Sequence, residues 1–251
     1  MINEARALAE SLRHANKARV VAGPTAVIAT MLKRRFAKQR KGVKRRLAEL
    51  EPMIHGAPQS APAGLNHAII GGIGDAANYS PRFMSSLEQA YRGAAGIAAA
   101  QLGLEEDPSD EIDGPTFEHS FTLMAIDGTT QKELLDVVTG ALALGYVYAA
   151  VAAAVDTYFD RSEESRAEQI AVTEVADAFS QGMLDTAEWA RDTLSMTVEK
   201  AWIPEDDPCP ICEANSEQGF ISDEEDFDSG DDSPPAHPNC RCSIDVRVKE
   251  E

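Results

Sequence analysis

Four cysteines and one histidine near the end of the chain are spaced like the ligands of a metal site. Cys209 and Cys212 form a Cys-x-x-Cys motif, and a His-Pro-Asn-Cys-Arg-Cys block begins at His237. Two short turns that each supply two ligands commonly hold structural zinc in a closed tetrahedral site. The matched spacings predict a structural zinc ion, Zn, bound by Cys209, Cys212, His237 and Cys240, with Cys242 as a neighbour or an alternative ligand. Such a site leaves no position open for a catalytic water.

Other uses of these residues remain open at this point. Two disulfides would form from the four cysteines if the protein meets oxidising surroundings. A thioredoxin-like redox motif requires a strand before the Cys-x-x-Cys and a helix after it, and Pro208 and the acidic loop argue against that helix. The acidic run 223–232 does not fit an EF-hand loop, because from Asp226 the glycine Gly230 falls fifth and not sixth.

Two short alternating segments flank this cysteine region. Residues 197–202 and 243–248 alternate between apolar and polar side chains, which predicts an antiparallel pair of strands with the cysteine turns at their facing ends. Between them, residues 205–232 carry 12 acids. A loop of that composition is expected to bury no core of its own, so a bound dication would close it.

The remainder of the chain predicts helices. Residues 1–51 are rich in alanine and leucine, with a helix break expected near Gly23-Pro24. Ser80-Pro81 begins a second helix, which Gly103 ends. The segment 52–63 is rich in proline and is typical of a linker.

Two capping signals predict where the later helices begin. Thr130-x-x-Glu133 is a capping box, so a helix is expected to start there and to run to about Phe159. Asp160-x-x-Glu163 repeats the signal before a further helical pattern that continues to roughly Thr193. The stretch Val137–Val155 has no charged residue and no basic flank, which favours a buried helix over a membrane span.

The net charge of −19 is divided unevenly along the chain. Residues 1–50 hold 13 Lys and Arg against three acids, a charge of +10, and the other 201 residues hold 10 against 39, a charge of −29. Nine of the fourteen residues 33–46 are basic, and such a density of like charge favours a partner-binding or DNA-binding role. These residues are Lys33, Arg34, Arg35, Lys38, Arg40, Lys41, Lys44, Arg45 and Arg46.

Together these patterns predict a mainly α fold in four consecutive parts. Residues 1–51 form a basic helical arm and residues 52–79 a linker. Residues 80–194 form an α-helical domain, and residues 195–251 a small C-terminal β-hairpin stapled by the zinc site. No motif for a nucleophile or an acid–base pair is present, so the sequence predicts a protein that is not an enzyme.

Two groups of residues resemble a known family. The tail, from Lys200-x-Trp202 through Cys-Pro-x-Cys to the His-Pro-Asn-Cys-Arg-Cys block, resembles the signature of the phage Mu F-like minor head proteins, the head morphogenesis family. Upstream, Arg166-Ala-x-x-Ile-Ala-x-Thr-Glu174 is similar to the family's helix motif, although Val172 replaces an arginine often found there. The resemblance covers about residues 81–248.

The resemblance implies a structural minor head protein of a tailed phage or prophage. Its partners would be the portal protein and other capsid components during procapsid assembly, its location the virion head, and its place of assembly the host cytoplasm. The basic arm would contact the portal or double-stranded DNA, and no membrane is implied. Arg166 and Glu174 are expected to be structural residues that fix their helix against the zinc hairpin.

Two other classes of protein compete with this interpretation. The first is a zinc-ribbon nucleic-acid-binding protein without a virion role, against which the 12 acids beside the metal site count because they repel phosphates. The second is an enzyme, either a metal-dependent hydrolase or a toxin-like transferase. The sequence predicts neither an open metal position nor an acid–base pair near a glycine-rich cleft, and this argues against an enzyme.

Overall fold

The structure is a computed structural model of the 251-residue chain. It describes the backbone of residues 2–52, 65–71, 73, 80–112, 119–143 and 148–249. It describes side chains within 14–52, 68–71, 73, 81–112, 125–141 and 148–249. The predicted linker therefore lies for the most part outside the described residues.

The described chain is mainly helical, with a small sheet near its C-terminal end, as predicted. In order, the elements are α1 (Ile2–Glu49), α2 (Leu65–Ile70), α3 (Ser80–Leu102), a 3-10 turn (Pro108–Asp110), α4 (His119–Ala143), α5 (Tyr148–Arg161), a π-helical turn (Ser162–Arg166), α6 (Ala167–Leu194), β1 (Val198–Ile203), α7 (Pro210–Glu217), β2 (Phe220–Ser222) and β3 (Ser243–Val248).

The chain divides into two compact units, each assembled from stretches that are far apart in the sequence. The first unit contains Met1–Ile28, Met84–Phe117 and Gln169–Glu251. The second contains Ala29–Phe83 and Glu118–Glu168. The division into arm, linker, helical domain and tail stays a prediction.

The core of the first unit joins helices α3 and α6 to the sheet. Ala94 and Ala98 of α3 are buried in one cluster with Ala187 of α6 and Trp202 of β1. The two helices approach closely, because a Cβ atom at Gly182 would collide with the carbonyl oxygen of Tyr91. Small residues at such a crossing allow the helix backbones to pack together.

The sheet has three antiparallel strands in the order β2-β1-β3. The two strands predicted from alternation are both present, and they pair from Val198 opposite Val248 to Ile203 opposite Ser243. The predicted hairpin is nevertheless incomplete, since β2 pairs with the other edge of β1. A strand of three residues is too short to produce a recognisable alternation, which is why the sequence did not reveal it.

The acidic loop between β1 and β3 does contribute to the core, so the expectation that it buries nothing was wrong. Phe227 is 2 % exposed, and its ring packs edge-to-face on Trp202 with ring centroids 5.2 Å apart. Lys200 is also buried, and its ammonium pairs with Asp232 of the same loop. One aromatic side chain and one ion pair thus attach this acidic segment to the sheet.

The second unit buries one face of the C-terminal half of α1. Leu32, Phe36, Val43 and Leu47 recur at helical spacing and are almost fully buried.

The predicted break at Gly23-Pro24 does not occur, because α1 continues through Pro24. Packing of apolar residues along the helix outweighs the local cost of the proline.

The predicted start of α4 was also wrong. The helix begins at His119, eleven residues before Thr130, so the apparent capping box lies inside it. The Thr130 hydroxyl donates to the carbonyl oxygen of Ile126, one turn earlier, which satisfies it within the helix. The expected single helix to Phe159 is present as α4 and α5, and residues 144–147 lie outside the described residues.

The second capping signal, Asp160-x-x-Glu163, does not begin a separate helix. Helix α5 continues through the π-helical turn directly into α6. The Ser162 hydroxyl donates to the Tyr158 carbonyl oxygen at 3.0 Å inside this continuous stretch. Arg166, the first residue of the family motif, is the last residue of the π-helical turn.

Candidate metal centre

The sheet brings the two cysteine-bearing segments to the same end of the first unit. Ile203, the last residue of β1, pairs with Ser243, the first residue of β3. Cys209 follows the end of β1 by six residues, and Cys242 comes directly before β3. The predicted arrangement of the cysteines at the facing strand ends is confirmed by this register.

Cys209 forms the N-cap of helix α7. Its backbone is extended, Pro210 occupies the first helical turn, and its sulfur accepts a hydrogen bond from the Cys212 backbone N–H at 3.5 Å. This N–H bond lowers the pKa of the Cys209 thiol, because it stabilises the thiolate. The helix after the Cys-x-x-Cys motif was not predicted, so the argument that Pro208 prevents it was wrong.

Cys212 lies at the centre of the donor atoms. Its sulfur is 3.7 Å from the Cys240 sulfur and 3.7 Å from the His237 Nε2 atom. The His237 Nδ1 atom lies 3.0 Å from the Pro238 carbonyl oxygen. A proton on Nδ1 donated to that oxygen leaves Nε2 free to bind a metal.

The donors fall into two overlapping sets whose ligand atoms lie within 4.8 Å of one another. One set is Cys209, Cys212 and His237, and the other is Cys212, Cys240 and Cys242. Cys212 belongs to both sets. Three of the four predicted ligands, Cys209, Cys212 and His237, thus share one set, whereas the fourth, Cys240, lies in the other set with Cys242.

These distances fit a tetrahedral metal ion. Two thiolates that each lie about 2.3 Å from one zinc ion are about 3.8 Å apart at the tetrahedral angle. The separation of the Cys212 and Cys240 sulfurs matches this value. All four cysteines are free thiols in the structure, so their sulfurs are available as ligands. The cluster can therefore hold a metal ion.

The surroundings of Cys242 lower the pKa of its thiol. The pKa of its thiol is lowered by the Cys240 thiol first, and further by the Glu205 backbone N–H and the Trp202 side chain. Burial and the neighbouring thiols instead raise the pKa of Cys212 to about 12. The cluster thus contains at least one sulfur whose surroundings favour the charged form that metals bind.

Two residues far from the cysteines in sequence support the loops, and sequence analysis missed both. The Lys17 ammonium donates to the Arg241 carbonyl oxygen and pairs with Glu205 at 2.8 Å. The backbone N–H of Asn239 donates to the Thr173 hydroxyl oxygen at 2.8 Å. Thr173 lies within the helix motif that begins at Arg166 and ends at Glu174. The motif could therefore have indicated this contact, but the sequence assigned roles only to its two charged ends.

The two charged residues of the helix motif have different surroundings. Arg166 donates to the Thr130 hydroxyl and to the Tyr158 hydroxyl, both at 3.0 Å, and pairs with Glu133 at 3.3 Å within the second unit. Glu174 belongs to the first unit, where burial first and the nearby Asp177 second raise its pKa to about 7. Their predicted role in fixing the helix against the hairpin stays a prediction.

The nine basic residues of 33–46 lie on α1 and do not form one uniformly free surface. Within the second unit, Lys33 pairs with Glu168, Arg35 with Asp127, Arg40 with Asp156 and Asp160, and Lys44 with Asp156, while Arg46 donates to the Ile69 carbonyl oxygen. The exposed side chains Arg34, Lys38, Lys41 and Arg45 follow the helical spacing i, i+4, i+7 and i+11. Four cations therefore form an exposed stripe, which we call the basic stripe.

The comparison with protein families identifies the class of this cysteine-bearing region. The family model described as Phage Mu protein F like protein matches residues 132–245, which contain helix α6, strands β1 and β2, the start of β3 and the whole donor cluster. This segment is therefore similar to the Mu F-like family, the same family that the sequence resemblance indicated. No curated protein and no solved structure matches the chain. Among the helices of the described ranges, none has the length and apolar character that crossing a bilayer requires.

Proposed function

We propose that this protein is a non-enzymatic minor head protein of a tailed phage or prophage that associates with the portal during procapsid assembly. The observation that carries the proposal is the family match over residues 132–245, which includes the entire donor cluster. The family is one of head morphogenesis, so the expected location is the virion head after assembly in the host cytoplasm.

The donor cluster would hold one structural zinc ion. A site rich in thiolates with one imidazole suits zinc, and four protein ligands saturate its coordination. The ion would join the turn after β1 to the turn before β3, and it would thereby fix a loop whose acids stay in water. Such a site stabilises the fold and offers no position for a reacting molecule.

The basic stripe is the proposed contact surface for the portal protein. Its four exposed cations extend about 16 Å along α1, given a rise of 1.5 Å per residue. Lys33, Arg40 and Lys44 pair with acids of other helices in the second unit, whereas the acid beside Arg45 is Glu49, one turn further along α1. A short stripe on a chain of net charge −19 suits an acidic protein surface better than a long DNA duplex.

The test is co-purification with the portal protein and incorporation into procapsids. The variant Arg34→Glu with Lys41→Glu reverses two exposed charges of the stripe. The matched control, Lys132→Glu with Arg161→Glu, makes the same charge change at exposed positions elsewhere in the second unit. We expect the first variant alone to lose portal association.

Two results would overturn the portal assignment. Equal portal binding by both variants would remove the stripe from the contact. Binding to double-stranded DNA that weakens steeply with salt, and that only the stripe variant loses, would make DNA the target. If the wild-type protein is absent from heads assembled with it, the proposed function itself is wrong.

A further inference from the structure

We propose that Cys212, Cys240 and Cys242 are the permanent thiolate ligands of the metal, and that Cys209 and His237 share the fourth position. The proposal rests on the zinc site proposed above and changes its ligand set. It assigns to Cys242 a role that the matched spacings of the sequence give to another residue.

The first observation is burial. Cys212, Cys240 and Cys242 are 1 %, 1 % and 4 % exposed, and their sulfurs lie within 4.8 Å of one another. A thiol is only a weak hydrogen-bond donor and acceptor, so three thiols this close together stabilise one another little. A metal ion bound to all three gives each sulfur a strong partner.

The second observation is the indole N–H of Trp202. Trp202 is 2 % exposed, and its Nε1 atom has no hydrogen-bond partner in the described structure. A buried indole N–H normally finds an acceptor. Trp202 and Cys242 belong to the same buried cluster. A metal-bound thiolate at Cys242 is the acceptor that this N–H otherwise lacks.

The fourth position has two candidate ligands. Cys209 and His237 lie near each other and near Cys212, and both are more exposed than the three buried cysteines. The Cys209 sulfur accepts a hydrogen bond from the Cys212 N–H at the start of α7, which favours the thiolate that binds metal. The His237 Nδ1 atom lies next to the Pro238 carbonyl oxygen, which leaves Nε2 as the metal-binding atom. A tetrahedral ion that already has three ligands accepts one of them at a time.

The test uses the full-length protein loaded with Co²⁺, whose sulfur charge-transfer absorption grows with the number of bound thiolates. Cys242→Ser is compared with Cys212→Ser and Cys240→Ser, and separately with Cys209→Ser and His237→Gln. We expect the first three to weaken metal binding at least 100-fold. Cys209→Ser and His237→Gln should each keep one metal per chain with less than tenfold weakening. Their spectra should differ, with three thiolates bound in the first and four in the second.

A measurement on the unaltered protein avoids the risk that a variant fails to fold. In the zinc-loaded wild-type protein, Cys209 should react with an alkylating reagent at a measurable rate while Cys242 is protected, and chelation of the zinc should release Cys242. Cys242→Ser with wild-type affinity and an unchanged thiolate band would overturn the ligand assignment and leave the zinc site in place. Wild-type protein that binds no metal would overturn the zinc site as well.

Discussion

The hydroxyl oxygen of Thr173 accepts a hydrogen bond from the backbone N–H of Asn239 at 2.8 Å, and this bond ties helix α6 to the loop that carries His237 and Cys240. Asn239 adopts a left-handed backbone conformation with φ of 64°, which asparagine tolerates better than most residues. The Thr173 side chain thus joins the helix motif to the cysteine block.

Replacement of Thr173 by valine should loosen this loop. Valine keeps the shape of threonine but cannot accept the Asn239 N–H, so about 1 kcal/mol of stabilisation should be lost. That loss corresponds to roughly a fivefold weaker zinc affinity, measured by competition with a chromophoric chelator. Thr173→Ser keeps the hydroxyl and should bind zinc nearly as the parent does. Equal affinities for the two variants would show that the bond does not support the site.

Lys17 is the second remote support of the cysteine loops. Its buried ammonium bridges the Arg241 carbonyl oxygen and the Glu205 carboxylate. Lys17→Met keeps the length of the side chain but leaves both acceptors without this donor, so we expect a loss of about 1–3 kcal/mol in the free energy of unfolding. Urea denaturation of the zinc-loaded protein measures it. Arg19→Met, at an exposed position two residues away, is the control and should change little.

The second unit contains a buried ion pair between Arg35 and Asp127. The Gln39 side-chain amide also donates a hydrogen bond to the Asp127 carboxylate, at 2.9 Å. Arg35→Leu alone leaves a buried carboxylate without its main partner and should cost about 3–5 kcal/mol. The double variant Arg35→Leu with Asp127→Leu removes both charges and should recover most of that loss. Denaturant titration of the single and double variants gives the coupling energy. A double variant that is less stable than the single one would contradict the desolvation argument.

The sequence was sufficient for the features that depend on local pattern. The strand pairing of β1 with β3 follows from alternation, the α3 boundaries follow from Ser80-Pro81 and Gly103, and the gathering of the cysteines follows from their spacing. Each of these signals lies within a few residues of the structure that it specifies. The segment that the family model matches contains the cysteine motifs.

What the sequence could not reveal depends on contacts between distant residues. The basic run predicted a partner-binding or DNA-binding role, but acids more than 100 positions away, such as Asp156 and Glu168, neutralise part of it. Thr130 resembles a helix cap but is an interior residue, because the helix begins upstream at His119. Tertiary packing decides both cases, and no local pattern contains that information.

The carboxyl group of Glu174 should make stability depend on pH. Burial raises its pKa from 4.5 to about 7 in the folded protein, with a further contribution from Asp177. Between about pH 4.5 and 7 the folded carboxyl keeps a proton that the unfolded chain has released, so the free energy of unfolding should fall as pH rises through this window and level off above it. Glu174→Gln has no proton to lose and should be more stable than the parent above pH 7, by roughly 1–3 kcal/mol. Urea denaturation from pH 5 to 8 measures the difference, with exposed Glu164→Gln as the control for charge alone. If Glu174→Gln and Glu164→Gln change the pH slope equally, burial of Glu174 is not its cause.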